Sequence, residues 1–399
     1  MKDTKKKKRI RKPSFIIYYI IGPFVYIFML IKFSFKVKKC KLKSPALIIA
    51  PHRSYYDFLV VPAAIYPMRS HIVATTYWFR DKSLGKLFNW IGTIPKDQYR
   101  NDIRSIINIG EKFKAGQNVM MFPEGQMSPY GAPLTMPQGL DKLISKFKPN
   151  VYFVNTNGSY FKSPKWGKKI ARGPVRPIVT EIASKEELET LSVQDVNLRL
   201  KEAFKTNNDF EWIKQNPRYK YIKRTKAEGL EKVLLSCPHC NEEIPFKTEK
   251  STITCTKCGY TLEFEKTSYN FKTQDEFTGL GDLFKNNLDK FRNSVDNGLI
   301  LEDEASIDYV DEELNPVPYI KNGKVLMNKE TISFIDLDNE NNNLSFELDK
   351  LINFVITFNK QFEVPTANKT YVVHLKNIKR CILYWNYINY LKEGKELWF

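Results

Sequence analysis

The chain has 399 residues, of which 42% are hydrophobic and 27% charged, and its formal net charge is +19. That length exceeds one ordinary domain, and the balance of apolar and charged residues excludes both a disordered chain and one that spans a membrane throughout. The positive charge is concentrated at one end, where residues 1–43 hold fourteen Lys or Arg against the single acid Asp3.

Within that basic end, Ser14 to Ile31 carries no charge and interleaves Phe15, Tyr18, Tyr19, Phe24, Tyr26 and Phe28. Basic residues beside an aromatic-rich apolar run point to a lipid surface. As one helix, this run would rise only ~27 Å, just short of the ~30 Å hydrocarbon thickness. Gly22-Pro23 near its middle, and Lys or Arg on both flanks, predict an in-plane or re-entrant pair of short helices over 14–21 and 24–35. A single span through 14–35 is the alternative. The expected location is the cytosolic face of the cytoplasmic membrane. No Ala-x-Ala-like site follows the run, which argues against a cleaved signal peptide. Cys40 and Cys381 stand isolated while the other four cysteines have metal spacing, as in a reducing compartment.

From residue 44 the pattern alternates between strand and helix. Pro45–Ala50 reads as a short buried strand, Phe58–Ile65 as a helix and His71–Thr75 as a second strand. Asn101–Ala115 is helical by period, with Ile103, Ile106, Ile107 and Phe113 near one face. Val119–Phe122 and Val151–Val154 are further apolar runs, and residues 184–230 read as mostly helical. The expected fold is an α/β domain in which helices cover a sheet.

Two short segments carry the chemistry. Pro51-His52-Arg53-Ser54-Tyr55-Tyr56-Asp57 follows the first buried strand. Five residues apart on a single helix, His52 and Asp57 would diverge by ~140°. With His52 at the strand end and Asp57 in the first turn of the next helix, the carboxylate can bond one imidazole nitrogen and leave the other to accept a proton. The nucleophile is then the acceptor's own hydroxyl. The second segment is Phe122-Pro123-Glu124-Gly125, where a strand breaks and presents a carboxylate and a glycine on a turn.

Taken in this order, His52-x-Ser54-x-x-Asp57 and Phe122-Pro123-Glu124-Gly125 resemble the glycerolipid acyltransferase family, the lysophosphatidic acid and glycerol-3-phosphate acyltransferases. Ile91 to Gln98 is similar to the family's second block and Val154 to Gly158 to its fourth, so the resemblance covers residues 14–225. It implies transfer of a fatty acyl group from acyl-CoA or acyl carrier protein to a glycerolipid hydroxyl, most simply that of 1-acylglycerol-3-phosphate. It also implies that His52 is the general base, that Asp57 orients it, and that the enzyme is held on membrane lipid. Many members carry Arg where this chain has Gln98 and Met127, and Asn where it has Pro51. The candidate substrate-binding residues here are Arg53, Ser54, Lys96, Arg100, Glu124 and Gly125, with the cations among them for a phosphate. A catalytically inactive lipid-binding membrane adaptor is the competing reading.

Cys237-Pro238-His239-Cys240 and Cys255-Thr256-Lys257-Cys258 form a zinc-ribbon pattern. Four thiolates close a tetrahedral site, so the expected Zn2+ is structural. His239 is a bystander. Residues 231–265 carry six glutamates and lack a clustered basic and aromatic face, which argues against nucleic acid as a partner. Strand-like runs at 324–327, 331–335, 344–348, 351–357 and 370–375, closed by a helix over 378–392, suggest a mainly-β domain, similar in element order to a pleckstrin-homology barrel. The expected division is a basic N-terminus with a membrane-embedded helical element (1–43), an acyltransferase domain (44–230), a zinc ribbon (232–266) and a C-terminal β-rich domain (275–399).

Overall fold

The structure is a computed structural model that describes residues 10–79, 82–97, 102–132, 134, 139–206, 208–273, 276–311, 315–351, 354–357, 360–366 and 369–393. The chain enters on a helical run. Ile16–Ile21 winds as a π-helix and Gly22–Lys32 (α1) continues it without a break. The expected pair of helices is therefore not formed. Gly22 keeps helical angles (φ −51°, ψ −45°), and its N–H reaches back to the Ile17 carbonyl. Proline is tolerated in the first turn of an α-helix, and here the wider π turns precede it. Among the described residues no helix is long and apolar enough to cross a membrane, so the span held open for 14–35 is not found.

A seven-stranded sheet follows, built from β1 (Lys38–Lys39), β2 (Ala46–Ile49), β3 (Ser70–Thr75), β4 (Ile94–Lys96), β5 (Asn118–Met121), β6 (Asn150–Asn155) and β7 (Ile178–Ala183). Their spatial order is β1-β7-β6-β2-β5-β3-β4. Strands β6, β2, β5, β3 and β4 run parallel, and β7 is antiparallel to β6. Helices α2 (Asp57–Ile65), α3 (Lys82–Ile91), α4 (Ile103–Lys114), α5 (Leu140–Phe147), α6 (Ser159–Lys162), α7 (Val193–Lys205) and α8 (Asp209–Gln215) connect and cover it.

The continuous apolar runs are explained by burial on both faces, as parallel sheets require. Leu47, Ile49, Val119, Met121, Val151 and Phe153 pack on one side with Ile109, Phe113, Ile144, Leu200 and Phe204 from α4, α5 and α7. Ala46, Ile48, Met120, Tyr152 and Val154 point the other way, against Met29 of α1 and Val60, Val61 and Ala64 of α2. Strand period two sorts each run between the two cores. The expected helix over 184–230 is real only at 187–189 (3-10), 193–205 and 209–215. Beyond it, Ile222 instead forms a bridge with Arg172 and buries Tyr221.

The cysteine segment folds as the three-stranded β8 (Phe246–Glu249), β9 (Thr252–Cys255) and β10 (Thr261–Glu263). Helix α9 (Leu280–Asp296), for which the sequence reading had no counterpart, leads into a seven-stranded antiparallel sheet. Its strands are β11 (Leu301–Val310), β12 (Pro316–Met327), β13 (Thr331–Asp336), β14 (Leu344–Glu347), β15 (Val355–Thr357), β16 (Gln361–Pro365) and β17 (Thr370–Leu375), ordered β14-β13-β12-β11-β17-β16-β15. Helix α10 (Cys381–Glu393) closes it. One apolar core runs from Tyr130, Tyr160 and Phe210 of the first domain through Phe246 and Ile253 of the ribbon to Ile307, Phe334 and Trp385.

Candidate active site

Strand β2 ends at Ile49, and the chain turns at Pro51–Tyr56 before α2 begins at Asp57. The turn brings His52 Nδ1 to 3.1 Å from Asp57 Oδ2. The same oxygen accepts the N–H groups of Arg53 and Ser54, each at 2.7 Å. Asp57 is fully buried, whereas the His52 side chain is 26% exposed. Because Nδ1 faces a carboxylate, it carries the proton, and Nε2 is the nitrogen with a free lone pair.

Strand β5 lies beside β2, so the turn after it flanks the imidazole. The Phe122 ring stacks on the His52 ring with centroids 4.8 Å apart. His52 donates its backbone N–H to Glu124 Oε2 (3.3 Å), and its carbonyl accepts the Ser128 N–H (2.7 Å). Burial drives the Glu124 carboxyl well above the ordinary carboxylate range, outweighing the His52 N–H and the Arg53 charge. Gly125 turns the chain at φ +69°, and a Cβ there would meet open space. Its backbone angle, not a close approach, calls for glycine.

Residues 32–156 match the protein family described as Acyltransferase. This segment is an acyltransferase domain. Among solved structures, the chain is similar to the 1-acyl-sn-glycerophosphate (LPA) acyltransferase PlsC from Thermotoga maritima. The two share 16% identity at a TM-score of 0.33, over 46% of this chain and 89% of that one. The N-terminal PH domain of human ARAP2 matches at 12% identity and a TM-score of 0.21, over 25% of this chain and 83% of that one. A C-terminal domain of an unknown protein from Leishmania infantum matches at 14% identity and a TM-score of 0.16, over 23% and 84%. No curated protein sequence matches the chain.

In the acyltransferase domain the residues expected to bind substrate separate into two groups. Arg53 is fully buried and turned inward: its guanidinium donates to the Gly131 carbonyl (3.1 Å) and to Thr156 Oγ1 (3.5 Å) and lies 3.7 Å from Asp209 Oδ2. Asp209 in turn accepts the N–H groups of Gly158 (2.6 Å) and Tyr160 (3.0 Å). Burial raises the Asp209 carboxyl, against the pull of Arg53 and of those two N–H groups. Ser54 is also buried, its hydroxyl accepting the Tyr56 N–H. Both residues shape the His52 turn from behind, with polar partners inside the protein. Glu124, also largely buried, is occupied by the His52 backbone. Lys96 is exposed at the end of β4, on the edge to which the parallel strands deliver their C-termini. Three strand spacings separate it from β2, about 14 Å. Arg100 and Gln98 lie outside the described residues.

Two features escaped the sequence reading. Phe122 is the ring against which His52 stacks. Farther along, Trp385 and Asn386 of α10 reach the turn after β5, with Trp385 Nε1 3.0 Å from Gln126 Oε1 and Asn386 Nδ2 2.8 Å from the Tyr130 hydroxyl. A contact across 259 residues leaves no local pattern to read.

The cysteine cluster lies apart from this site. Sγ atoms of Cys237 and Cys258 are 3.8 Å apart, those of Cys240 and Cys255 are 3.7 Å apart, and all four fall within 4.8 Å. A tetrahedral ion with metal–sulfur bonds of ~2.3 Å needs sulfur–sulfur edges of ~3.8 Å. The four cysteines therefore fit a metal ion. His239 stacks on the Tyr260 ring, consistent with a bystander.

Removing one member of a buried ion pair leaves the other charge uncompensated. Arg53→Met is expected to lower unfolding stability by about 3–5 kcal/mol in urea denaturation. Near-wild-type stability together with a raised acceptor KM would return Arg53 to the substrate.

Proposed function

We propose that the protein transfers a fatty acyl group from a thioester donor, acyl-CoA or acyl carrier protein, to the free hydroxyl of a lysophospholipid, with 1-acylglycerol-3-phosphate as the acceptor. The observation that carries this reading is the Nδ1–Oδ2 contact of His52 and Asp57 at the end of a parallel strand. Asp57 holds the imidazole with Nε2 unprotonated. Nε2 takes the proton of the acceptor hydroxyl as its oxygen attacks the thioester carbonyl. The tetrahedral adduct collapses with cleavage of the C–S bond, and the imidazolium returns the proton to the departing thiolate. Ester and thiol leave, and His52 is neutral again. Lys96 and Arg100 are the cations of this proposal for the acceptor phosphate.

Membrane association has separate support. Ile16, Ile20, Phe24, Ile27 and Ile31 recur at helical spacing, and all are exposed, Phe24 and Ile31 at 71%. Tyr18 and Met29 face inward. The run begins where the Ser14 N–H bonds the Trp90 carbonyl, and Trp90, Leu87 and Leu84 of α3 are exposed too. Such a contiguous apolar surface, next to Arg11, Lys12, Lys32 and Lys36, suits an anionic bilayer surface with the helix in its plane. For the cysteine cluster the proposed ion is Zn2+, which closes the knuckles when bound.

Thiol release from acyl-CoA and acyl carrier protein, with and without 1-acylglycerol-3-phosphate, tests the reaction. His52→Ala and Asp57→Asn should each lower kcat by ~10²–10⁴-fold. A His52→Ala enzyme at the wild-type rate would remove the mechanism, and silence with every donor and acceptor would favour the lipid-binding adaptor.

Sedimentation with anionic vesicles reports docking separately. The triple change Phe24→Asp, Ile27→Asp and Ile31→Asp should reduce bound protein at least ~10-fold, since each buried apolar side chain contributes ~1.5–3 kcal/mol. Unchanged binding would place the lipid contact elsewhere.

Mercurial titration of the thiols should release one Zn2+ per chain, and hydrogen exchange over residues 235–265 should then lose protection. Full protection in metal-free protein would reject a structural ion.

A further inference from the structure

The segment between β5 and α5 has no strand or helix among its described residues, although it carries Glu124 and flanks His52. Its shape depends on side chains that reach it from elsewhere. The backbone of residues 128–131 is held from within the N-terminal sheet domain. Ser128 N–H bonds the His52 carbonyl, Tyr160 Oη donates to the Pro129 carbonyl at 2.8 Å, and Arg53 and the Asp209 N–H both reach the Gly131 carbonyl. Gln126, one residue past Gly125, is held from outside that domain.

That hold comes from α10. Trp385 is 1% exposed and its indole nitrogen can only donate, so the Gln126 amide presents Oε1 to it at 3.0 Å. The next residue, Asn386, uses both amide protons, one on the Ile382 carbonyl and one on the Tyr130 hydroxyl, each at 2.8 Å. Tyr130 passes its own proton to the Val233 carbonyl (3.2 Å) and packs edge-on against Phe284 of α9. A buried polar group left unpaired is costly, so these pairs fix a single seating of the turn on α10.

The position of α10 is itself over-determined. Arg380, just before it, pairs with Asp303 of β11 and with Glu243 between the ribbon's cysteine pairs. Near its other end, Lys392 Nζ donates to the Leu351 carbonyl (2.6 Å).

We propose that α10 is a positioning element of the active site. Trp385 and Asn386 hold Gln126–Tyr130 and, through Ser128, the His52 backbone in the geometry used for transfer, so the C-terminal sheet is part of the catalytic unit. Trp385 and Asn386 touch no reacting atom. The inference rests on the transferase reading for its kinetic consequence and on geometry alone for the brace.

The test is a double-mutant cycle between positions 126 and 385, read by kinetics and by hydrogen exchange on the full chain. Gln126→Met and Trp385→Phe should each lower kcat/KM about 5–10-fold, and the double variant should fall no further. Gln126→Glu keeps an acceptor oxygen and should restore most of the rate. In Trp385→Phe, amides of residues 124–131 and 52–57 should exchange about 5–10-fold faster than in the wild type, while β2, β5 and β6 keep their protection. Additive losses, or unchanged exchange at 124–131, would overturn the proposal. A wild-type enzyme that transfers no acyl group would remove the transferase reading, and the exchange measurement would still decide the brace. A Trp385→Phe chain that lost protection throughout would show α10 to be a folding element only, which also overturns it.

Discussion

One carboxylate oxygen, Asp57 Oδ2, governs the geometry of the site. It accepts three hydrogen bonds at once, from the His52 imidazole and from the backbone of Arg53 and Ser54. The two backbone bonds set the turn before α2, and the third aims the ring, so the imidazole cannot reorient without unwinding the turn. Glu124 and Ser128 grip the same histidine by its own N–H and C=O. For the proposed role of His52 as base, a ring held in place before substrate arrives needs no reorganisation at the moment of reaction.

Behind that turn lies a second constraint, an ion pair sealed from water. Arg53 and Asp209 are both fully buried, and between them they gather the Gly131 carbonyl, Thr156 and the N–H groups of Gly158 and Tyr160. Four segments distant in sequence thereby meet under the His52 turn. A hydrophobic replacement of similar volume could be as stable, but it would not specify which backbone groups meet. Lys162 follows the same logic: its ammonium caps the carbonyls of Lys32 and Gly173, tying the end of α1 to the domain, and burial pulls its pKa down to about 8. Arg53 and Lys162, cations inside this protein, organise backbone.

What could be read from sequence follows the range of the interactions. His52 and Asp57 are five residues apart, and a strand-to-helix turn was enough to predict their meeting. The buried strands declared themselves as short apolar runs between turn formers, and the four cysteines by their spacing. An arginine beside a candidate base looks like a phosphate ligand, and its buried partner Asp209, distant in sequence, leaves no local pattern to announce the pair. Gly22-Pro23 misled because the breaker signal ignores the π register that accommodates proline. Strand β11 was hidden by its acids, since Glu302, Asp303 and Glu304 interrupt the apolar pattern; Glu302 and Glu304 pair across the sheet with Lys324 and Lys376, and Asp303 pairs with Arg380. The mostly helical reading of 184–230 fails over 216–229, where the bridge of Ile222 to Arg172 overrides local tendency.

The arrangement of the C-terminal half argues against modules strung on a chain. Asn287 of α9 accepts the N–H groups of Leu235 and Ser236 just before the first metal-spaced cysteine, and Lys290 reaches the Pro238 carbonyl between the first two. Glu243 joins the ribbon to Arg380, and the Val233 carbonyl joins the segment entering it to Tyr130. The ribbon thus wedges between α9, α10 and the turn after β5, with one apolar core through all of them. Through Glu243 the cysteine segment is one of several anchors of α10, and α10 in turn holds Gln126. The four-cysteine cluster is thereby joined to the turn beside His52 through packed side chains and these polar contacts.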